Sequence, residues 1–396
     1  MTSVPGDAIP IREVHLYRCS LAARVSYATD TRSEFAVLVV RLLSEDRDGW
    51  GEVLLPRVEP LWTWAQRTAP LLVGQDATAR DEVMGCWPVD RPKLDLKACS
   101  TYCHPDVDGV AEAVSIALHD LAAKARGVRF ADLLGRVQRT VIPAMPVVAL
   151  RPPCEMAAEA AAWVRDGLRH VKIKFAGDPR LDAERVRAVR AAVGDGIGLQ
   201  VDANGGYATW DAAESLLDVL NETKVDVIED LYDVGAVDLY RRARDILDGR
   251  YMVDKDAHWP HVREILRLGA ADIINQHPHN QGSMSLAMAI ARATLEAGLE
   301  NAIGSSGILG IQDTAFLHLA AVTGLSRPCE DIGLHNYHMR FPAIRSLSFD
   351  RNPTVLADPI EIENGMMRLP EGPGLGVTVD RKMLDAVTVE HRVYRD

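Results

Sequence analysis

Hydrophobic and polar positions follow two different rhythms in the first third of the chain. Apolar runs such as "FAVLVVRLL" and "GWGEVLLP" (49–56) alternate with turns, which predicts a small antiparallel sheet. From about Asp108 the period lengthens to that of a helix, because "GVAEAVSIALHDLAAKARG" brings five apolar residues onto one stripe. Those residues are Val110, Val114, Ala117, Leu118 and Leu121. We therefore expect a helix packed over the sheet.

After Arg136, short apolar runs alternate with amphipathic segments such as "LDAERVRAVRAAV". The apolar runs are, in order, "VIPAMPVVAL", "HVKIKFA", "IGLQVDANG", "VDVIEDL", "YMVDKDA", "ADIINQH" and "ENAIGSSG". Strands and helices that alternate this often form parallel βα units, and about eight units close into a barrel. An open doubly wound sheet would carry a glycine-rich phosphate turn after its first strand, and the sequence has none there. The pattern therefore predicts an α/β protein with a (β/α)8, TIM-type barrel.

Composition narrows the range of partners. The chain has 396 residues, 47% of them apolar, and a formal net charge of -12, which argues against a nucleic-acid surface. The N-terminal stretch lacks a basic start followed by an apolar run, and no stretch of about 18 uncharged apolar residues occurs. We therefore expect a cytoplasmic protein with no membrane partner. Six thinly spread cysteines indicate reduced structural thiols rather than a zinc site.

Three consecutive predicted barrel strands end on an acidic residue. Asp202, Glu229 and Asp254 follow one another at intervals of one βα unit. Because active sites of parallel barrels lie where the strands end, these carboxylates should converge. Converging carboxylates repel each other unless a hard divalent cation binds them, and Mg²⁺ fits best. The alternative is that each acid caps its following helix or pairs with a neighbouring base.

The strand before these acids carries two lysines. Lys172 and Lys174 alternate in "HVKIK", so both side chains point to one face, one βα unit before Asp202. An ammonium that is partly desolvated beside another ammonium loses its proton more easily. Lys174 is therefore a candidate general base and Lys172 a candidate electrophile. Alternatively, the lysines only balance the charge of the acids.

Taken in order, these motifs resemble the enolase superfamily, and more closely its mandelate racemase and muconate lactonizing subgroup. The resemblance covers nearly the whole chain. Besides the two lysines and Glu229, it rests on "GWGE" (49–52), similar to the family's second capping-domain loop, and on "ALHDLAAKARGVRFADLLGR", "VDANG", "GSSGILGIQDTAFLHLAAVTG" and "EGPGLGVTVD".

The resemblance implies a modified barrel covered by an α+β capping domain. We expect the capping domain at 1–136, the barrel with the catalytic site at 137–340, and a C-terminal segment at 341–396 that returns to the capping domain. Specificity would come from capping loops near 19–30 and 49–56, in which Tyr27, Leu54 and Leu55 are the residues of interest. Further copies of the chain are expected partners in a homo-oligomer.

The same resemblance assigns roles in the site. The implied Mg²⁺ ligands are Asp202, Glu229 and Asp254. Lys174 would remove the proton α to the carboxylate of a small-molecule substrate, with Lys172 as its electrostatic partner and Asn204 as a pocket donor.

Some positions depart from the family's pattern. Where relatives usually carry a lysine or an aspartate at the end of strand six, this chain has His277, and strand seven offers Ser305 and Ser306 but no histidine. Lys255 follows the third acid, where lactonizing relatives often carry an acid. We hypothesise that Lys255 lies near His277 and keeps its imidazole neutral.

These features predict abstraction of an α-proton through an enediolate intermediate, with Lys174 and His277 on opposite faces of the substrate. Acid-sugar dehydration is the first expectation, because the polar residues near His277 suit a polyhydroxylated acid. The alternatives are a racemase or epimerase of an amino-acid derivative or hydroxy acid, a cycloisomerase, and a homologue that only binds a ligand.

Overall fold

An antiparallel sheet of long strands opens the chain. The computed structural model describes residues 8–26, 31–56, 58–88, 109–259, 261–305, 307–330, 332, 348–349 and 351–395. The first strands are β1 (Glu13–Ser26), β2 (Thr31–Leu43) and β3 (Asp48–Leu54), and they pair in that order. The helices that follow are α1 (Val58–Thr68), α2 (Arg80–Gly85), α3 (Gly109–Arg126) and α4 (Phe130–Leu134), with short 3-10 helices at Ala69–Leu72 and Ala77–Ala79.

The predicted apolar stripe of α3 packs against this sheet. Its five residues are each at most 2% exposed. Two glycines of β3 allow the close approach. A Cβ on Gly51 would lie 1.9 Å from the carbonyl oxygen of Ala113, and a Cβ on Gly49 would lie 2.1 Å from that of Ala117. The prediction of a capping loop at 49–52 is wrong, because these residues lie inside a strand pressed against α3.

A ring of short parallel strands follows. Its strands are β4 (Val141–Met145), β5 (Val147–Val148), β6 (His170–Lys174), β7 (Gly198–Asp202), β8 (Val227–Glu229), β9 (Arg250–Val253), β10 (Ile273–Gln276), β11 (Glu300–Ile303) and β12 (Cys329–Glu330). The helices between them are α5 (Pro153–Arg165), α6 (Pro179–Val193), α7 (Trp210–Glu222), α8 (Val237–Arg244), α9 (His261–Leu268), α10 (Pro278–Gln281), α11 (Met284–Glu296) and α12 (Ile311–Ala320).

The strands close into the predicted barrel. From β5 to β11 they pair in chain order, while β12 pairs with β4 and lies beside β11. β4 and β5 flank Pro146 and together form the first barrel strand. A small apolar cluster of Val227, Met252, Ile273 and Ala302 fills the barrel interior below the strand ends. The predicted barrel is confirmed, although the two-residue strand β12 was not predicted.

The C-terminal part returns to both sheets. Its elements are β13 (Ser348–Phe349), β14 (Ile362–Glu363), β15 (Met366–Arg368), α13 (Arg381–Val387) and β16 (Thr388–Arg395). β15 pairs with β4, whereas β13 and β16 both pair with β1. The last strand thus completes the N-terminal sheet, and the exact domain boundaries stay a prediction.

Four of the six cysteines lie in the part of the chain that the structure describes. Cys19, Cys86, Cys154 and Cys329 are free thiols there, while Cys99 and Cys103 lie outside it. No helix within the described ranges has the length and apolar character that crossing a membrane requires.

Candidate active site

The polar residues predicted at the strand ends meet at one end of the barrel. In the parallel register Lys174 lies opposite Asp202, and Asp202 lies opposite Glu229. Asp254 directly follows β9 and His277 directly follows β10. All five residues are at most 8% exposed. The fold therefore brings the predicted acids and bases into one buried cluster.

Lys172 occupies the centre of this cluster. Its ammonium lies 2.5 Å from Glu229 Oε2, 2.6 Å from Glu330 Oε2 and 3.0 Å from Asp202 Oδ2. Burial alone would lower the pKa of Lys172, but the three carboxylates outweigh it and raise that pKa well above its ordinary value. Lys172 therefore stays charged and balances the acids around it.

Glu330 is a member of the cluster that the sequence analysis missed. It ends β12 and is 5% exposed. One oxygen accepts from Lys172, and the other accepts from Gln200 Nε2 at 2.6 Å. A strand of two residues shows no alternation of polar and apolar positions, so no pattern in the sequence pointed to this carboxylate.

Lys174 and Asn204 both bind Asp202. The ammonium of Lys174 donates to Asp202 Oδ2, and Asn204 donates through its backbone N–H at 2.8 Å and its Nδ2 at 3.1 Å. Burial tends to raise the pKa of Asp202, but Lys172 and Lys174 outweigh it and hold that pKa below its ordinary value. Asn204 adopts a left-handed φ of 49°, which turns its side chain back onto Asp202.

His277 and Asn280 bind the third predicted ligand. His277 Nδ1 lies 3.2 Å from Asp254 Oδ1, and Asn280 Nδ2 donates to the same oxygen at 3.2 Å. Burial tends to raise the pKa of Asp254, but His277 outweighs it and the pKa lies below its ordinary value. The carboxylate thus fixes one ring nitrogen of His277 and thereby orients the imidazole.

The turn after β9 is held by Asp230, which sequence analysis also missed. Its carboxylate accepts the backbone N–H groups of Asp254 and Lys255, each at 3.0 Å. Burial and the neighbouring Asp254 raise the pKa of Asp230 to about 8. Lys255 donates to the carbonyl oxygen of Asn204 at 2.5 Å, and burial lowers its pKa. Its contact is with the Asp202 side of the cluster, and its effect on His277 stays a hypothesis.

The remaining predicted substrate-binding residues are less informative. Ser305 donates to Asp313 Oδ1 and accepts the backbone N–H of Gly307 at 3.1 Å, so its hydroxyl helps to shape the turn after β11. Leu54 and Leu55 are 5% and 4% exposed. Tyr27 and Ser306 lie outside the described residues.

Glu52 joins the N-terminal sheet to the same end of the barrel. It is 1% exposed, and its two oxygens accept four backbone N–H groups at the start of α12. The donors are Ile308 at 2.9 Å, Leu309 at 2.7 Å, Ile311 at 2.9 Å and Gln312 at 3.0 Å. This contact fixes the end of β3 beside the loop that follows β11.

The donor set suits a divalent cation. Within the described ranges, no three or more His, Cys, Asp or Glu side chains converge as a preformed metal site. Lys172 instead bridges Asp202 and Glu229, so a cation would compete with an ammonium for these oxygens. Glu229 Oε1 is nevertheless buried without a hydrogen-bond partner among the described residues. Carboxylate oxygens are the ligands that Mg²⁺ prefers, so the residues fit this ion.

Glu229 shows the electrostatic cost of the cluster. Burial, Asp202 and Glu330 raise its pKa well above the ordinary value, and Lys172 opposes them only in part. A bound divalent cation would reverse this balance, because it adds positive charge beside the carboxylate.

Comparison with known proteins agrees with this geometry. A family model described as "Enolase C-terminal domain-like" matches residues 155–383. The model covers more than half of the chain, and this chain therefore belongs to the enolase superfamily, in its mandelate racemase and muconate lactonizing branch.

Individual relatives are distant and match most of the chain. An N-succinyl-L-Arg/Lys racemase of Bacillus cereus is 25% identical over 97% of this chain and 100% of its own. Muconate cycloisomerase 1 of Rhodococcus opacus is 28% identical over 86% of each chain. The crystal structure of a dipeptide epimerase from Cytophaga hutchinsonii, complexed with Mg and the dipeptide D-Ala-L-Val, superposes with a TM-score of 0.81 at 21% identity and covers 97% of this chain and 99% of that one.

These relatives bear on the predicted chemistry. They are named as a racemase, a cycloisomerase and an epimerase, and each name is that of an isomerase. They support an enzyme that abstracts an α-proton, and they favour the isomerase alternative over the acid-sugar dehydratase expected first from the sequence.

Proposed function

We propose that this protein is a Mg²⁺-dependent racemase or epimerase that acts on an N-acylated amino acid. The observation that carries the proposal is the placement of two different bases at the strand ends, each held by its own carboxylate. Lys174 is bound to Asp202, and His277 is bound to Asp254. A racemase needs two such groups, because one removes the α-proton and the other returns a proton to the opposite face.

The acids and bases predicted from the sequence each have a role in this scheme. Lys174 takes the α-proton from one enantiomer and His277 takes it from the other. Lys172 keeps its positive charge beside the substrate carboxylate, where negative charge grows as the α-proton leaves. Asp202, Glu229 and Asp254 would hold Mg²⁺, which when bound supplies further positive charge at the substrate carboxylate.

The substrate class is inferred from the relatives. The racemase of Bacillus cereus is named for N-succinylated arginine and lysine, and the match extends over its whole length. The muconate cycloisomerase gives a second candidate, cycloisomerization of an unsaturated diacid. Acid-sugar dehydration now has less support than either. A homo-oligomeric assembly and a cytoplasmic location also stay predictions.

The proposal is tested by α-proton exchange in D₂O. The purified protein with Mg²⁺ is mixed with the L- or the D-enantiomer of N-succinyllysine, and NMR and chiral chromatography follow exchange and racemization. We expect the wild type to racemize both. Lys174→Ala and His277→Ala should each lose racemization and retain exchange only of the enantiomer that the other base serves.

Lys224→Ala is the matched control, because Lys224 is 69% exposed and is not part of the site. Its ammonium pairs with Asp195 at a distance of 2.5 Å. It should racemize at the wild-type rate. Racemization that survives in either base variant would refute the two-base scheme. A wild type that is inert towards N-succinyl amino acids and lactonizes cis,cis-muconate would favour the second candidate.

A further inference from the structure

Gln200 is a neutral amide buried between two carboxylates. It lies in β7 two residues before Asp202, on the same face of the strand, and is 5% exposed. Its Nε2 donates to Glu229 Oε2 at 2.6 Å and to Glu330 Oε1 at 2.6 Å. A carboxamide nitrogen carries two hydrogens, so it can donate to both acids at once.

The two carboxylates differ in how many of their oxygens have a hydrogen-bond partner. Glu330 has both oxygens engaged, one by Gln200 and the other by Lys172. Glu229 receives both donors on the same oxygen, Oε2, and its Oε1 has no partner among the described residues. Gln200 therefore supplies the donor for the second oxygen of Glu330, and it fixes the rotation of the Glu229 carboxylate.

We propose that Gln200 is a positioning residue with two effects. It orients the Glu229 carboxylate towards a divalent cation, and it keeps the Glu330 carboxylate hydrogen-bonded so that Glu330 does not bind that cation. A buried acceptor without a partner destabilises the folded state, and such a group is retained where a ligand completes it. With the amide removed, Oε1 of Glu330 would also lack its donor, and Glu229 would be held by Lys172 alone. The inference rests on the proposed metal-dependent function.

The test measures metal binding directly. Mn²⁺ replaces Mg²⁺ as the probe, and its dissociation constant is obtained by isothermal titration calorimetry and by electron paramagnetic resonance. Gln200→Leu removes both hydrogen bonds without adding charge. Groups that orient metal ligands typically change metal affinity by about 10–100-fold, and we expect a loss in this range. Circular dichroism shows that each variant is folded.

Gln138→Leu is the control, because Gln138 donates a single bond to the Val322 carbonyl oxygen at 2.9 Å and is absent from the cluster. It should bind Mn²⁺ like the wild type. Should Gln200→Leu fail to fold, Gln200→Asn takes its place, because the shorter amide stays polar but its side chain is too short to bridge both acids.

The outcomes separate this inference from the proposed function. Weaker Mn²⁺ binding by a folded Gln200 variant, with the control unchanged, supports the positioning role. A folded variant that binds Mn²⁺ within about twofold of the wild type overturns it and leaves the metal site intact. A wild type that does not bind Mn²⁺ overturns both the metal site and the role of Gln200.

Discussion

Removal of the Glu52 carboxylate should destabilise the protein severely, although the side chain lies outside the barrel strands. Glu52 accepts four buried backbone N–H groups at the start of α12. A buried donor that loses its acceptor costs about 1–3 kcal/mol. Even at the low end of this range, Glu52→Ala should lower the free energy of unfolding by about 4 kcal/mol, a large part of the 5–15 kcal/mol typical of a domain.

A graded series sharpens the test. Glu52→Gln keeps one oxygen that can accept two of the N–H groups but turns an NH₂ group towards the other two. We expect about half the loss of the alanine variant, roughly 2 kcal/mol, from two orphaned donors. The loss of negative charge at a helix N-terminus adds about 0.3–1 kcal/mol.

The assay is urea unfolding followed by circular dichroism, combined with hydrogen exchange of the amides of residues 308–312. Exchange of these amides should accelerate in both variants. Glu45→Ala is the control, because Glu45 lies in the turn between β2 and β3, is 79% exposed and pairs with Arg12 at 3.8 Å. It should change the free energy of unfolding by less than about 0.5 kcal/mol. An alanine variant within about 1 kcal/mol of the wild type would refute the reasoning.

Three further predictions follow from buried groups. Gly51→Ala places a methyl group 1.9 Å from the Ala113 carbonyl oxygen, so urea unfolding should show a loss of at least about 1–3 kcal/mol, and an unchanged midpoint would contradict this packing. Burial raises the pKa of Glu112 well above its ordinary value, so the folded state favours the protonated acid and loses stability as pH rises past about 4.5. Glu112→Gln should therefore raise Tm at pH 8 and change it little at pH 5, and a lower Tm at pH 8 would rule this out. Burial lowers the pKa of His318 to about 4, although the contact of Nε2 with the Leu375 carbonyl oxygen opposes this shift. The contribution of the neutral ring to stability is therefore present above about pH 6.5 and lost as pH falls towards 4. NMR should find this ring still neutral at pH 5.5, and titration near 6.5 would disprove it.

Much of the barrel could be predicted because its strands are continuous apolar runs that end on polar residues. Lys174, Asp202 and Glu229 were placed correctly side by side, because one βα unit separates neighbouring strands and the register is parallel. Such a regular repeat carries positional information without any knowledge of side-chain contacts.

Contacts between distant segments could not be predicted in the same way. Glu330 belongs to a strand of two residues, and Glu52 acts on a helix that begins more than two hundred residues later. Gln200 did carry a signal, because it is a polar residue in an apolar strand two positions before Asp202. The family resemblance places the segment 49–52 in a capping loop, whereas Gly49 and Gly51 lie in a strand and allow its close packing against α3.

The pairing of β16 with β1 has a consequence for folding. His15 and His391 are 376 positions apart in the chain, and Nδ1 of His15 lies 3.1 Å from Nε2 of His391. Contacts of such high sequence separation form slowly, because a long loop must close before they are made. During synthesis the edge of β1 that pairs with β16 stays without this partner until β16 leaves the ribosome, whereas the barrel strands precede β16 in the chain and can pair with one another earlier. An unpaired strand edge promotes aggregation, so we expect chaperones to protect this edge of β1 during synthesis.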